Sequence, residues 1–140
     1  MGNTPSINKI GFEDIQYIQK NNKCGILINT LNSNDQKCII SGTISPNNEE
    51  KVINDMLNRD LLHTIIIYGR NNLDDTVYKK YQELVTLGFK NVYAYPGGIF
   101  EWMCLQDIYG TDEFKTTSRE NDILKFKPVS KLNTLMIANY

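Results

Sequence analysis

The sequence has few of the side chains that build metal centres and disulfide frameworks. Its one histidine is His63, and its three cysteines, Cys24, Cys38 and Cys104, are far apart with no Cys-x-x-Cys pair. Neither a zinc site nor a disulfide scaffold is expected, no cofactor is implied, and the thiols suit a reducing cytoplasm. Positive charge is not in excess: 15 Lys and Arg against 16 Asp and Glu leave a net charge of -1. Without a basic field to meet a phosphate backbone, nucleic acid is not an expected partner. No apolar run approaches the roughly 20 residues of a membrane-spanning helix, and the first residues lack the apolar core of a signal peptide. Internal repeats are absent too. A chain of 140 residues with 41% hydrophobic and 22% charged side chains fits one compact α/β domain rather than a disordered or fibrous chain.

The hydrophobic pattern alternates helix and strand. Phe12, Ile15 and Ile18 recur at helical spacing, with Glu13 and Asp14 suited to a helix N-terminus. Cys24 to Leu31 (CGILINTL) has the length of a buried strand, and Cys38 to Ser45 (CIISGTIS) reads as a second, broken by Gly42. A helix follows, capped and charged by Asn47, Asn48, Glu49 and Glu50, with Val52, Ile53, Met56 and Leu57 in one stripe. Thr64 to Tyr68 (TIIIY) is apolar on both faces, as in a parallel strand covered from both sides. Past a polar loop, Asp74 and Asp75 open a helix that presents Val77, Tyr81 and Leu84 and stops at Gly88. Asn91 to Tyr95 is the next strand, and Ile99 to Tyr109 the next helix. This alternation predicts βαβ units in a doubly wound sheet: a single α/β domain, its small parallel sheet flanked by helices on both faces.

Three segments, in this order, resemble rhodanese-like domains. The stretch IISGTIS resembles a short family strand-turn, and TIIIYGRNN resembles the central strand that delivers the active-site loop. The stretch LGFKNVYAYPGGIFEW resembles the closing signature of a Gly-Phe helix stop, a strand, a Gly-Gly pair and a tryptophan. The resemblance spans residues 8–117, leaving 118–140 as a C-terminal tail expected to pack on the domain or on a partner.

The resemblance implies a loop whose first residue is a persulfide-carrying cysteine, in a cradle of inward-pointing N–H groups. Here that position is Gly69, followed by Arg70, Asn71 and Asn72, and a position often basic is Asp74. The family's Asp-x-Arg after the first strand stands as Asn29-Thr30-Leu31. Sulfur transfer needs a thiolate, and glycine supplies none. The resemblance therefore implies a catalytically inactive member that works as a protein-interaction or regulatory module. The loop Gly69, Arg70, Asn71, Asn72 and Asp74 is the expected site for a partner or for an anion held by backbone amides, with Arg70 as counter-charge.

The alternative is a sulfurtransferase or related thiol enzyme that uses Cys104 instead. Cys24 and Cys38 begin strands without a nearby base, and His63 has no evident carboxylate partner in sequence. The helix Ile99 to Tyr109 is apolar nearly all round, so it is either deeply buried or part of an interface at Phe100, Trp102 and Cys104. Together with the tail it is also the expected contact in a homodimer.

The opening MGNTPS fits the N-myristoylation pattern, with Gly2 exposed after methionine removal and Ser6 at the hydroxyl position. One myristoyl chain binds a membrane marginally and reversibly. The expected location is the cytoplasm, peripheral at a membrane through Gly2. Lipidation would place the chain in a eukaryotic cell or a virus of one, and richness in Asn, Ile and Lys agrees with AT-rich coding, as in a protist or large DNA virus.

Overall fold

Side chains of the central strand point alternately to two faces, and this divides the core in two. The computed structural model describes residues 6–132. Strands β1 (Gly25–Asn29), β2 (Thr64–Tyr68) and β3 (Val92–Tyr95) pair in parallel in the order β1-β2-β3. Ile65 lies opposite Ile26 on one side and Val92 on the other. Ile66 and Tyr68 join Leu27 and Tyr95 on one face, under helices α1 (Phe12–Lys20) and α4 (Gly98–Tyr109). Ile65 and Ile67 join Ile28, Val92 and Ala94 on the other, under α2 (Pro46–Arg59) and α3 (Thr76–Leu87). Isoleucine suits this place because its β-branched side chain fits a pleated surface buried on both sides.

The expected α/β fold, a parallel sheet with helices on both faces, is present. Parallel bridges place Lys9 beside Ala94 and Thr43 beside Leu27, so the chain runs outward past β1 and then returns to β2 on its other side, the reversal expected of a doubly wound sheet. Both crossover helices, α2 and α3, pack on one face; the other face is covered by α1, before the first strand, and α4, after the last. The β3 edge is covered by the N-terminal segment, where the Ala94 N–H donates to Asn8 O at 2.8 Å and the Ile10 N–H donates to Ala94 O at 2.9 Å.

Cys38 to Ser45 is not the expected strand. Gly42, at φ +94°, turns the chain, and the segment makes isolated bridges instead: Thr43 beside Leu27 and Ile40 beside Thr116. Its apolar signal is still genuine, because Cys38, Ile39 and Ile40 are buried. The following helix begins at Pro46, with Ser45 rather than Asn47 as N-cap. Proline suits that first position, where its missing N–H would have no intrahelical partner.

Candidate functional site

The loop after β2 is held from behind by the start of α4. The Ile99 N–H donates to Gly69 O at 2.9 Å, and the Phe100 N–H donates to Arg70 O at 2.9 Å. Gly98 permits this approach: its φ is +65°, and a Cβ there would lie 2.6 Å from Gly69 O. The Gly-Gly pair of the closing segment thus clamps the loop through its carbonyls. The Arg70 amide faces the loop interior.

That interior is filled by Asp74. The Arg70 N–H donates to its Oδ2 at 2.9 Å, and the Thr76 N–H and hydroxyl donate to its Oδ1 at 3.0 and 2.6 Å. Asn71 serves the same loop, its Oδ1 accepting from the Leu73 N–H at 2.9 Å while its carbonyl accepts from the Asp74 N–H at 3.2 Å. A Cβ built on buried Gly69 would run into the Asp74 carboxylate and lie 2.8 Å from Val77 Cγ2. Asp74 therefore occupies the space a side chain at 69 would need. Helix α3 opens at Thr76, and the Asp75 side chain makes no cap hydrogen bond, so Asp74 does the capping expected of the pair.

Arg70 turns away from these amides. Its Nη1 donates to the buried carboxylate of Asp35 at 2.7 Å, its Nη2 donates to Lys125 O at 2.5 Å, and its guanidinium lies 5.0 Å from the Phe126 ring centroid. Asn71 Nδ2 donates to Phe126 O at 2.9 Å, and Lys125 Nζ lies 3.5 Å from Asp35 Oδ1. Arg70, expected as the counter-charge for a loop-bound anion, has its guanidinium paired with Asp35, and its backbone N–H donates to Asp74. The C-terminal segment from Ser118 onward is a strap across the loop, with Phe126 inside the core beneath α4. Residues 133–140 of the tail lie outside the described residues. Leu73 and Asp75 of the loop and Val129 and Lys131 of the strap line part of an open groove of about 650 Å³ next to Arg70 and Asn71.

The neutral stretch after β1 forms its own unit. Buried Asn29 accepts at Oδ1 from the Leu31 N–H at 3.0 Å and from Gln36 Nε2 at 2.7 Å, and its amide donates back to Gln36 Oε1 at 3.0 Å. This amide pair places Asp35, on a short 3-10 turn (Ser33–Asp35), against Arg70. Asp35, Gln36, Lys125 and Phe126 escaped sequence reasoning. The one available hint was a lone phenylalanine between two lysines.

On α4 the apolar surface resolves into a core face and a partly covered one. Trp102, open in the sequence between core and interface, is fully buried: its Nε1 donates to Lys115 O at 3.1 Å, and its ring meets Tyr95 and Phe114 edge-on. Phe100 and Cys104 are half-buried, and Asn72 is exposed. Burial, then the carboxylates of Asp107 and Glu101, pushes the Cys104 thiol up, the opposite of what a nucleophilic thiolate needs. His63, without a partner in the sequence reading, has Asp60 Oδ2 at 3.5 Å from its Nδ1. Gly2 lies outside the described residues. Among the described residues no helix is long and apolar enough to cross a membrane, and no His, Cys, Asp and Glu grouping could hold a metal ion.

Comparison of the whole chain with solved structures identifies the architecture. The rhodanese-like domain of the Alr3790 protein from Anabaena sp. superposes with a TM-score of 0.54, covering 90% of this chain and 94% of that one at 16% identity. The chain has the rhodanese-like fold. The BH2092 protein from Bacillus halodurans shares the fold with a TM-score of 0.59 at 20% identity, over 91% of this chain and 89% of that one. The thiosulfate sulfurtransferase of Pseudomonas aeruginosa gives 0.57 at 16% identity over 86% of this chain, which spans 23% of that protein's length. Neither a family model nor a curated protein matches the sequence. At these identities it is the fold that is shared, and the chemistry has to be argued from this chain's own residues.

Proposed function

We propose that this rhodanese-fold chain performs no sulfur transfer and acts by binding another protein across its loop face, at a membrane surface reached through a myristoylated Gly2. The observation that carries the reading is Asp74 in the loop. Where the resemblance puts a cysteine there is Gly69, and the amide that would help cradle a persulfide donates to a carboxylate of the same chain. The Arg70 and Thr76 amides already donate to the Asp74 carboxylate, whose charge opposes a bound anion. What the loop face offers outward is the groove lined by Leu73, Asp75 and Val129, apolar and polar surface suited to a polypeptide.

Steady-state turnover of thiosulfate and cyanide to sulfite and thiocyanate tests the first half. The protein is expected to add nothing to the uncatalysed rate, and turnover that scales with protein would overturn the reading. The second half is tested by co-expression with an N-myristoyltransferase. The intact mass is expected to rise by one myristoyl group, lost in Gly2→Ala, with vesicle binding following the modified form. An unmodified Gly2 under those conditions removes the membrane from the proposal.

A further inference from the structure

The strap meets the loop as a peptide meets its receptor. Two successive carbonyls, Lys125 O and Phe126 O, accept from the side chains of Arg70 and Asn71 at 2.5 and 2.9 Å. The Phe126 ring is buried under the Arg70 guanidinium, and the Lys125 ammonium reaches Asp35 at 3.5 Å. An aromatic anchor, a flanking charge and main-chain carbonyls read by fixed donors are the elements of segment recognition. The strap's own amides, by contrast, bond inside it: Asp122 N–H to Glu120 Oε1, Lys125 N–H to Asp122 O and Lys127 N–H to Leu124 O. Loop side chains and the buried Phe126 ring hold its middle. Ser118 Oγ donating to Lys37 O and Cys38 Sγ donating to Ser118 O hold its start, whereas Ile65, Ile66 and Ile67 belong to ladders on both sides.

We infer that Lys125–Phe126 is a ligand held in cis. On this inference, which rests on the interaction reading above and specifies its partner, the loop face binds a segment folded as a short 3-10 turn, with an aromatic residue preceded by a lysine. The strap occupies the face until such a segment displaces it. Displacement frees Arg70 Nη2, Asn71 Nδ2 and Asp35 Oδ1 together, and it uncovers the side of Leu73 and Asp75 against which Lys127, Val129 and Lys131 now line a groove. A tethered competitor acts at a high effective concentration, so the intact chain binds its partner weakly and a released strap strengthens binding.

Hydrogen exchange on the intact chain is the first test. The amides of Lys125 and Lys127 are expected to exchange through a local opening, about a hundredfold or more faster than those of Ile66 and Ile67. Exchange of both sets through one common unfolding would show the strap to be integral to the core and overturn the inference. The second test adds a labelled peptide of residues 119–131 to the full chain and to its Phe126→Ala variant, whose folding is checked by circular dichroism. The variant is expected to bind the peptide at least about tenfold more tightly than the intact chain, the gain that vacating one aromatic anchor supplies, and a peptide carrying the same Phe126→Ala change is expected not to bind. Equal binding of both peptides, or none by the folded variant, refutes the cis ligand. Either result leaves the sulfur-transfer question, read by turnover, where it was.

Discussion

The Asp74 carboxylate stands where a side chain at residue 69 would project, with its Oδ2 accepting the Arg70 N–H at 2.9 Å. The two positions are therefore coupled. Gly69→Cys forces a thiol against Asp74 and Val77 and is expected to destabilise the fold by about 1–3 kcal/mol, the usual range for overpacking. Asp74→Ala leaves the Arg70 and Thr76 amides without their acceptor and should cost about 1–2 kcal/mol. The double variant is expected to fall short of the sum by about 1 kcal/mol, because removing the carboxylate makes room for the thiol. Urea unfolding of the four proteins measures this, and strict additivity would contradict the packing relationship.

The same geometry predicts the chemistry of Gly69→Cys. A thiol beside a carboxylate is held in its protonated form, so the single variant should acquire no sulfur from thiosulfate at neutral pH. Brisk transfer by that variant would show that the loop amides, not Asp74, set the local field.

Thiol reactivity separates the native cysteines. Cys24 is exposed, whereas Cys104 is half-buried with its thiol pushed up by burial and by Asp107 and Glu101. At pH 7, alkylation by iodoacetamide is expected at Cys24 well before Cys104, as peptide mapping would show. Faster modification of Cys104 would revive the thiol-enzyme alternative.

The strap should loosen in acid. The Asp122 N–H, bonded to Glu120, and the nearby Lys125 ammonium hold the Glu120 carboxyl below its usual value. A depressed folded value means that its contribution is complete above the ordinary carboxylate range and lost as pH falls through the lower folded value. Exchange of the Asp122 amide, corrected for its intrinsic pH dependence, is therefore expected to accelerate below about pH 4. Glu120→Gln should remove that acceleration, and an unchanged profile in the variant would assign it to another group.

Tyr68 ties the bent segment to the sheet. Its buried hydroxyl accepts from the Ile40 N–H at 3.1 Å and pairs with Thr43 Oγ1 at 2.7 Å. Tyr68→Phe strands that amide, an expected loss of about 1–3 kcal/mol seen as a lower urea midpoint at constant slope. No change would mean that water replaces the hydroxyl.

The sequence made legible what periodicity controls. The β-branched run at Ile65, Ile66 and Ile67 marked the central strand, and the stripe of Val77, Tyr81 and Leu84 marked α3 because each pattern reports a buried face directly. Burial alone misled at Ile39 and Ile40, which are apolar because they fill the core beside a turn, not because they pair in a ladder. Trp102 was ambiguous for a related reason: on a helix apolar all round, no period tells core face from surface. The strap contacts were illegible in principle. Asp35, Arg70 and Phe126 come from three separate segments, and only the folded chain brings them together.

The proposal that this chain accepts no transferable sulfur rests on Gly69 and Asp74. It is tested most directly by the intact mass of the reduced full chain after incubation with thiosulfate. The mass is expected to be unchanged, with the fold intact by circular dichroism. A gain of one sulfur atom, mapped to Cys104 or to either other cysteine, would contradict the claim and return the chain to the sulfurtransferases.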